Sequence, residues 1–360
     1  MRVLVAPDKF AGTLTAVEAA EAIAEGWRRQ APDDELDLAP MADGGPGFVD
    51  VLHAALGGDV LAVTVRGPHG EPVPAAVLRV GDTAYVESAQ ACGLHLLEGP
   101  AEHATTAGVG ELLAAAVESG ASRVVVGLGG SGTNDAGAGM LHALGTIADG
   151  PLDAGAAGLT SVTTVDLDPA RDRLAGVELL AASDVENPLT GLFGASKVFG
   201  PQKGLSEERI VEVDGWLEGF AEVAGRRTAL EKGAGAAGGL GFGLLLVGAT
   251  REPGITLVAD AVGLSRRAAE ADLVLTGEGA FDFSSRSGKV PYGVATVAAE
   301  ALRPCVALAG QVLVGAREMR ALGVESAYSM VEMVGEERSF GDPAGALADV
   351  AARVARSWSA

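Results

Sequence analysis

Carboxylates and lysines follow several apolar runs of this sequence, with glycine or proline beside most of them. Carboxylates can orient or deprotonate a hydroxyl group and bind Mg²⁺, and lysine supplies a compact positive charge for phosphate or carboxylate oxygens. Asp and Gly are also common turn residues, which is enough to explain any one of these positions. Their recurrence after three runs, at 3–6, 35–40 and 273–276, favours a site for a small anionic substrate. The residues are Asp8, Lys9, Asp43, Glu278, Asp282 and Lys289.

A glycine-rich segment at 127–135 follows a predicted strand and precedes a predicted apolar helix. Backbone amides of such a turn can bind phosphate oxygens at the start of a helix. The segment fits GxGxxG, but its four polar side chains are foreign to a dinucleotide-binding turn and suit phosphate and Mg²⁺ better. No GxxxxGK[ST] motif is present, which argues against an ordinary P-loop. We predict phosphate contacts from Gly129, Gly130, Ser131, Thr133 and Asn134, with Asp135 beside them.

A second glycine-rich segment, at 233–241, has two interpretations. Gly238 and Gly239 could contact phosphate through their amides, or the segment could be a hinge or a place of tight helix packing. The sequence leaves both open.

Two further turns carry polar residues. Asp184 and Asn187 stand three apart after the predicted strand at 177–182, just before a proline, and Lys203 lies in a glycine- and proline-containing turn at 199–204. Only five of the 26 basic residues are lysine, yet Lys9, Lys203 and Lys289 all lie in turns of this kind. This placement favours a role in binding anions.

The apolar pattern along the chain predicts an α/β protein. The first 60 residues alternate strand and helix, with Thr15 and Glu18 placed as a capping box, and the same alternation returns from Ala271. Between them, residues 60–90 alternate apolar and polar positions in three segments, which predicts antiparallel hairpins. We predict a Rossmann- or flavodoxin-like parallel-sheet domain from 1–62 and 265–360, with a second α/β domain at 63–264 inserted into it. Two domains in tandem are the alternative.

The amino-acid composition excludes some classes of binding partner and indicates the cellular compartment. The chain has 48 acidic and 26 basic residues, a net charge of −22, which argues against a nucleic-acid or anionic membrane surface. No apolar run approaches the ~20 residues that span a bilayer, and the first residues are too short an apolar run for a signal peptide. Cys92 and Cys305 have no metal-binding spacing, so we expect buried thiols in a reducing compartment. We expect a soluble, cytoplasmic monomer or homodimer.

Taken together, the segments resemble the type I (bacterial) glycerate kinase family. The resemblance spans nearly the whole chain in order, through residues 6–10, 40–45, 127–131, 133–135, 184–191, 199–204, 235–241, 276–279 and 288–291. It implies the fold just described and ATP- and Mg²⁺-dependent phosphorylation of D-glycerate to 2- or 3-phosphoglycerate. The site would lie in the cleft between the domains.

Within that resemblance we assign roles as hypotheses. The catalytic set is Asp184, Asp43, Lys203, Lys9 and Lys289, in which Asp184 or Asp43 would orient or deprotonate the glycerate hydroxyl. The substrate-binding set is Asp8, Asn187, Glu278 and Asp282. The metal-binding set is Asp135, Asp184 and Glu278.

The chain departs from the family pattern at a few positions. Ala11 stands where the family usually has lysine, and Pro46 and Phe48 stand where it has glutamate and threonine. Ala280 and Phe281 precede Asp282 where the family usually has Arg-Ile. These changes keep open a non-catalytic or weakly active paralogue that binds nucleotide or sugar acid. A NAD(P)-dependent oxidoreductase using the turn at 127–132 is the remaining alternative.

Overall fold

The computed structural model describes residues 1–282 and 289–359, and the chain divides into two compact units. Unit 1 comprises Met1–Asp43, Asp50–Gly57 and Gly254–Ala360, and unit 2 comprises Gly44–Val49 and Gly58–Pro253. From the sequence we predict the domain boundaries at 62/63 and 264/265. Gly288, the first residue of the family segment at 288–291, lies outside the described residues.

The described residues form thirteen β-strands. They are β1 (Arg2–Val5), β2 (Glu35–Leu38), β3 (Asp59–Arg66), β4 (Pro72–Val80), β5 (Thr83–Glu87), β6 (Arg123–Gly127), β7 (Ile147–Ala148), β8 (Val165–Asp166), β9 (Glu178–Ala182), β10 (Thr250–Glu252), β11 (Leu273–Phe281), β12 (Cys305–Val312) and β13 (Ser326–Ser329).

The described residues also form seventeen α-helices. They are α1 (Ala16–Gln30), α2 (Phe48–Leu56), α3 (Ala89–Cys92), α4 (Ala107–Glu118), α5 (Ala138–Ala143), α6 (Gly155–Gly158), α7 (Asp168–Arg173), α8 (Ala195–Phe199), α9 (Glu207–Ala224), α10 (Ala236–Leu246), α11 (Gly254–Val262), α12 (Leu264–Glu270), α13 (Val290–Glu300), α14 (Ala316–Ala321), α15 (Met330–Val334), α16 (Glu336–Gly341) and α17 (Pro343–Trp358).

Unit 1 is built on a parallel sheet with strand order β13-β12-β11-β1-β2. β1 is an interior strand between β11 and β2, and its residues Val3, Leu4 and Val5 are fully buried, as expected of a strand covered on both faces. The predicted capping box opens α1: Thr15 Oγ1 accepts from the amide of Glu18 at 3.1 Å, and the Glu18 carboxylate accepts from the amide of Thr15 at 2.8 Å. These observations confirm the predicted parallel α/β architecture.

β11 is longer than the sequence predicts. The strand continues past Thr276 to Phe281 and pairs with β12 along its length, so that Glu278 lies inside the strand, opposite Ala309. A Cβ atom at Gly277 would lie 2.2 Å from the carbonyl oxygen of Leu308. The predicted end of this strand at Thr276 is therefore too early, because glycine here permits close approach of two strands.

Unit 2 contains a six-stranded sheet with order β10-β9-β6-β5-β4-β3. β3, β4 and β5 are antiparallel, which confirms the predicted hairpins, and the pairs from β5 to β10 are parallel. Cys92 in this unit and Cys305 in unit 1 are both buried and free, as predicted. No helix of the described ranges has the length and apolar character needed to cross a membrane.

Candidate active site

The charged residues of unit 1 meet at the carboxyl edge of its sheet. Backbone hydrogen bonding continues past the strand ends: the amide of Asp8 donates to the carbonyl of Gly277 at 2.8 Å, and the amide of Met41 to that of Pro7 at 2.9 Å. The segment after β1 thereby stays beside β11, and the segment after β2 stays beside the segment after β1. Ligands of open parallel sheets bind at this edge.

Two lysines hold the carboxylates of this edge together. Lys9 Nζ lies 3.7 Å from Asp8 Oδ1 and 3.8 Å from Asp43 Oδ1. Lys289 Nζ lies 3.6 Å from Glu278 Oε2 and 3.7 Å from Asp282 Oδ1. We call this set the charged cluster; its members are Asp8, Lys9, Asp43, Glu278, Asp282 and Lys289. The structure thus brings together all six residues that the sequence indicates at this edge.

Within the charged cluster, the surroundings of Asp8 change the pKa of its carboxyl group. The residue is 6% exposed, and burial raises the pKa of its carboxyl to about 7. Lys9 opposes this rise in pKa, whereas Asp43 and Glu278 add to it. A carboxyl group with a pKa near neutrality can gain or lose a proton under physiological conditions.

The glycine-rich loop of unit 2 follows β6 and rests on the turn at Gly44–Val49. The amide of Gly129 donates to the carbonyl of Gly44 at 3.0 Å. A Cβ atom at Gly129 would lie 2.5 Å from Gly45 Cα, and one at Gly130, where φ is +78°, would lie 2.7 Å from the Pro46 ring. Only glycine fits at these two positions, because the backbone of Gly45 lies against Gly129, and the Pro46 ring and the positive φ exclude a Cβ at Gly130.

Lys203 lies next to this loop and is only 4% exposed. Its Nζ donates to Thr133 O at 2.6 Å and to Ser131 Oγ at 3.1 Å. Burial lowers the pKa of the ammonium group to about 8, because the charged form loses its hydration.

A cavity of 270 Å³ opens where the loop and Lys203 meet. Its lining residues are Leu94, Leu128, Gly129, Gly130, Ser131, Val185, Phe199, Gln202, Lys203 and Ala237. A glycine turn, a hydroxyl group and a buried lysine in one cavity form a suitable environment for phosphate oxygens. The structure therefore brings four of the predicted phosphate-binding and catalytic residues together here.

Asp135 lies beneath the loop, fully buried. Its carboxylate accepts four hydrogen bonds: two from Thr106, through the amide and the hydroxyl at 2.8 Å each, and one each from the amides of Gly137 at 3.0 Å and Gly139 at 3.1 Å. Both carboxylate oxygens are therefore engaged by the protein, and the residue fixes the path of the loop. Its role as a metal ligand stays a prediction.

Thr133 and Asn134 are also fully buried, and neither lines the cavity. Thr133 contributes its carbonyl oxygen to Lys203, and Asn134 donates through Nδ2 to Ser196 Oγ at 2.9 Å. Their observed contacts position Lys203 and helix α8, and direct contact with phosphate stays a prediction.

The second glycine-rich segment packs tightly against the first. Gly238 has φ +68° and Gly239 has φ +90°; a Cβ at Gly238 would lie 1.9 Å from the carbonyl oxygen of Thr133, and one at Gly239 would lie 2.5 Å from Ala136 Cα. These contacts support the tight-packing interpretation, and phosphate binding by the two glycines stays a prediction.

Asp184 and Asn187 lie in the segment that follows β9. Asp184 is half-buried and directly precedes Val185, a lining residue of the cavity. Asn187 donates through Nδ2 to the carbonyl of Phe193 at 2.8 Å and so closes the following turn. The Asp184 carboxylate is a candidate for contact with a molecule in the cavity.

A sequence model of the glycerate kinase family matches residues 3–359. The chain belongs to the glycerate kinase family. It is 40% identical to "Glycerate 2-kinase" of Escherichia coli K12 over 93% of this chain and 92% of the relative, and 40% identical to "Glycerate kinase" of Bacillus subtilis over 92% and 90%. An uncharacterised protein of Mycobacterium bovis is 44% identical over 99% and 91%.

A solved structure of the "putative glycerate kinase 2" of Salmonella typhimurium LT2 superposes with a TM-score of 0.82. That chain is 35% identical, and the match covers 99% of this chain and 98% of the other. The similarity agrees with the α/β architecture, and the small-molecule kinase class follows from the family.

Pro46 and Phe48, two departures from the family pattern, have packing roles in this family member. The Pro46 ring lies against Gly130, and the buried Phe48 ring meets Tyr85 edge-on, with ring centroids 6.2 Å apart. Ala11 is exposed, and Ala280 is half-buried opposite Gln311. The first two departures thus replace polar groups with apolar support for the glycine loop.

The candidate Mg²⁺ ligands are all carboxylates, which are the hard oxygen ligands that this ion prefers. Within residues 1–282 and 289–359, no three His, Cys, Asp or Glu side chains gather as a metal-binding group. Mg²⁺ in kinases is held through one or two carboxylates, water and substrate phosphates, so the half-buried Asp184 and the 6% exposed Glu278 fit that manner of binding.

Glu87 is a buried residue that the sequence analysis missed. It ends β5, is 5% exposed, and its Oε2 accepts from the amides of Gly47 at 3.1 Å and Val49 at 3.3 Å. The rule that draws attention to Asp8 and Asp43, a carboxylate at the end of a strand, would have found it.

Proposed function

We propose that this member of the glycerate kinase family phosphorylates D-glycerate with ATP and Mg²⁺ and forms 2-phosphoglycerate. The observation that carries the proposal is the cavity at Gly129, Gly130, Ser131 and Lys203, which suits phosphate oxygens. The choice of position 2 follows the name of the Escherichia coli relative, "Glycerate 2-kinase". We further propose a cytoplasmic protein, either a monomer or a homodimer.

The phosphate groups of ATP would be held by the loop amides, by Ser131 and by Lys203. Gly129 lies against the backbone of Gly45 and Gly130 against the Pro46 ring, so this part of the site requires little reorganisation when phosphate binds. The Lys203 ammonium would neutralise phosphate charge inside a cavity where water screens it poorly.

The acceptor hydroxyl of glycerate would be oriented by a carboxylate, for which we propose Asp184 or Asp43. As the hydroxyl oxygen bonds to the γ-phosphorus, the bond to the β–γ bridging oxygen breaks, ADP leaves, and the hydroxyl proton passes to the carboxylate. Lys9 and Lys289 would bind the glycerate carboxylate or the transferred group. Asp8, Asn187, Glu278 and Asp282 would accept or donate hydrogen bonds to the substrate.

Mg²⁺, when bound, would neutralise charge on the ATP phosphates, with Asp184 or Glu278 as its protein ligands. We propose that Asp135 shapes the loop, because its two carboxylate oxygens accept hydrogen bonds from four protein donors.

The apolar residues Pro46 and Phe48 motivate one competing function, a protein that binds nucleotide without transferring phosphate. An assay of ADP release with Mg-ATP and D-glycerate separates the two. We expect ADP release that requires D-glycerate. A protein that is stabilised by ATP against heat but releases no ADP with any hydroxy acid would be the non-catalytic paralogue, and binding of NADH without Mg²⁺ would indicate the oxidoreductase.

A further inference from the structure

Glu87 lies beside the glycine loop without lining its cavity. β5 and β6 are parallel neighbours, and their register sets Glu87 opposite Gly127, the last residue before the loop. The next residue, Ser88, donates to the carbonyl of Gly127 through its amide at 3.0 Å and its hydroxyl at 2.7 Å. The end of β5 is thus fastened to the base of the loop.

The carboxylate of Glu87 is directed at a different segment, the turn Gly44–Val49. One oxygen accepts from the amides of Gly47 and Val49, which lie at the start of helix α2. Amides at a helix start lack partners within the helix, and a negative charge beside them is favourable. Burial of a carboxylate costs free energy unless the carboxylate is hydrogen-bonded. The contact therefore satisfies the buried carboxylate and the two amides at the same time.

The turn that Glu87 holds is the surface on which the glycine loop rests. Gly44 accepts from the amide of Gly129, Gly45 Cα limits the space at Gly129, and the Pro46 ring limits the space at Gly130. A Cβ at Gly127 would likewise lie 2.5 Å from the carbonyl oxygen of Gly44. Displacement of the turn would therefore move the amides that line the cavity.

We propose that Glu87 is a positioning residue of the phosphate-binding loop, which it holds in place through the turn Gly44–Val49. It acts through the turn and makes no contact with ATP itself. This proposal rests on the proposed function, because it requires that the loop binds the phosphates of ATP. Misplacement of binding groups by about an ångström lowers rates by as much as ~100-fold, so the expected effect is measurable.

The test compares Glu87→Ala and Glu87→Gln with Glu111→Gln. Glu111 is a matched control in the same unit: it binds the amide of Arg66 at 2.8 Å and its Nε at 2.6 Å, and it does not line the cavity at the glycine loop. For each variant we would measure the midpoint of thermal unfolding, the Kd for ATP by calorimetry, kcat, and the KM values for ATP and D-glycerate.

We expect Glu87→Ala to raise the Kd and KM for ATP about tenfold or more, with a smaller change in kcat. Glu87→Gln keeps one acceptor oxygen and should recover most of the affinity, and Glu111→Gln should leave it unchanged. Wild-type affinity for ATP in folded Glu87→Ala would overturn the proposal.

A second variant covers the case in which Glu87→Ala does not fold. Pro46→Gly removes the ring that lies against Gly130, and it should weaken ATP binding in the same manner. Unchanged affinity for ATP in folded Pro46→Gly would overturn the proposal. A wild-type protein that binds ATP but shows no glycerate-dependent ADP release would contradict the proposed function alone, because the comparison of Kd values would still test Glu87.

Discussion

Lys203 Nζ donates to the carbonyl oxygen of Thr133 at 2.6 Å, so the buried ammonium group is tied to the backbone of the glycine loop. A buried charge of this kind costs free energy and persists where fixed dipoles compensate it. The contact places a positive charge and the amides of Gly129 and Gly130 around one cavity. The proposed phosphate site thus depends on two segments 70 residues apart in the chain.

Lys203→Met should abolish most activity while leaving the fold intact. Methionine fills a similar volume without a charge, so kcat/KM for ATP should fall by about 10²–10³-fold. The thermal midpoint should stay unchanged or rise, because a buried charge is removed. Steady-state kinetics and thermal unfolding measure both effects.

Lys232→Met is the matched control for that variant. The Lys232 side chain is 72% exposed and pairs with Glu186, so its loss should change neither activity nor stability appreciably. If Lys203→Met retained activity within about threefold of the wild type, the role of Lys203 in phosphate binding would be refuted.

The dependence of kcat/KM for ATP on pH should be bell-shaped, with its maximum between about 7 and about 8. The pKa of Asp8 is raised to about 7, so its negative charge, which pairs with Lys9, appears as pH rises through that value. The pKa of Lys203 is lowered to about 8, so its positive charge is lost above that value. Asp8→Asn should remove the acidic limb alone; an unchanged acidic limb would show that another group titrates there.

The positions of the polar residues along the chain were predictable, because the carboxyl edge of a parallel sheet follows from the apolar runs. Asp8, Asp43 and Glu278 were found in this way. The surroundings of the loop residues were not predictable: Thr133, Asn134 and Asp135 carry side chains that can bind a ligand, and the sequence does not show that all three are fully buried. Which side chains of a polar run face a cavity depends on the packing of distant segments, here Thr106, Ser196 and Lys203.

Asp184→Asn should lower kcat by about 10²–10⁴-fold and leave the midpoint of thermal unfolding nearly unchanged. The substitution preserves shape but removes the charge that would orient the acceptor hydroxyl. Glu186→Gln, two residues further on and with a side chain 56% exposed, serves as the control and should be active. A kcat near that of the wild type in Asp184→Asn would assign the reaction to Asp43 or another group.

Gly238→Ala should destabilise the protein much more than Gly248→Ala. Both glycines have a positive φ, +68° at Gly238 and +94° at Gly248. This backbone conformation costs an alanine about 1–2 kcal/mol of folding free energy. A Cβ at Gly238 would also collide with Thr133 O at 1.9 Å, whereas nothing lies within 4 Å of one at Gly248. Equal unfolding free energies of the two variants in urea would disprove the tight packing.

That packing also marks a limit of sequence reasoning. The glycines at 238 and 239 could equally well have served phosphate contact or close packing, since both require the absence of a Cβ. Only the distance from Gly238 to the backbone of Thr133 favours packing, and such a distance depends on the tertiary fold. The position of Glu87 at a strand end was visible in the sequence, but its partners were not, because they are the backbone amides of Gly47 and Val49.

The most direct test of the central claim is ³¹P NMR of a reaction containing the protein, Mg-ATP and D-glycerate. We predict that a phosphomonoester resonance appears together with ADP, that it matches authentic 2-phosphoglycerate, and that it is absent without D-glycerate. Persistence of ATP, or its conversion to ADP and inorganic phosphate with no phosphoglycerate formed, would contradict the account.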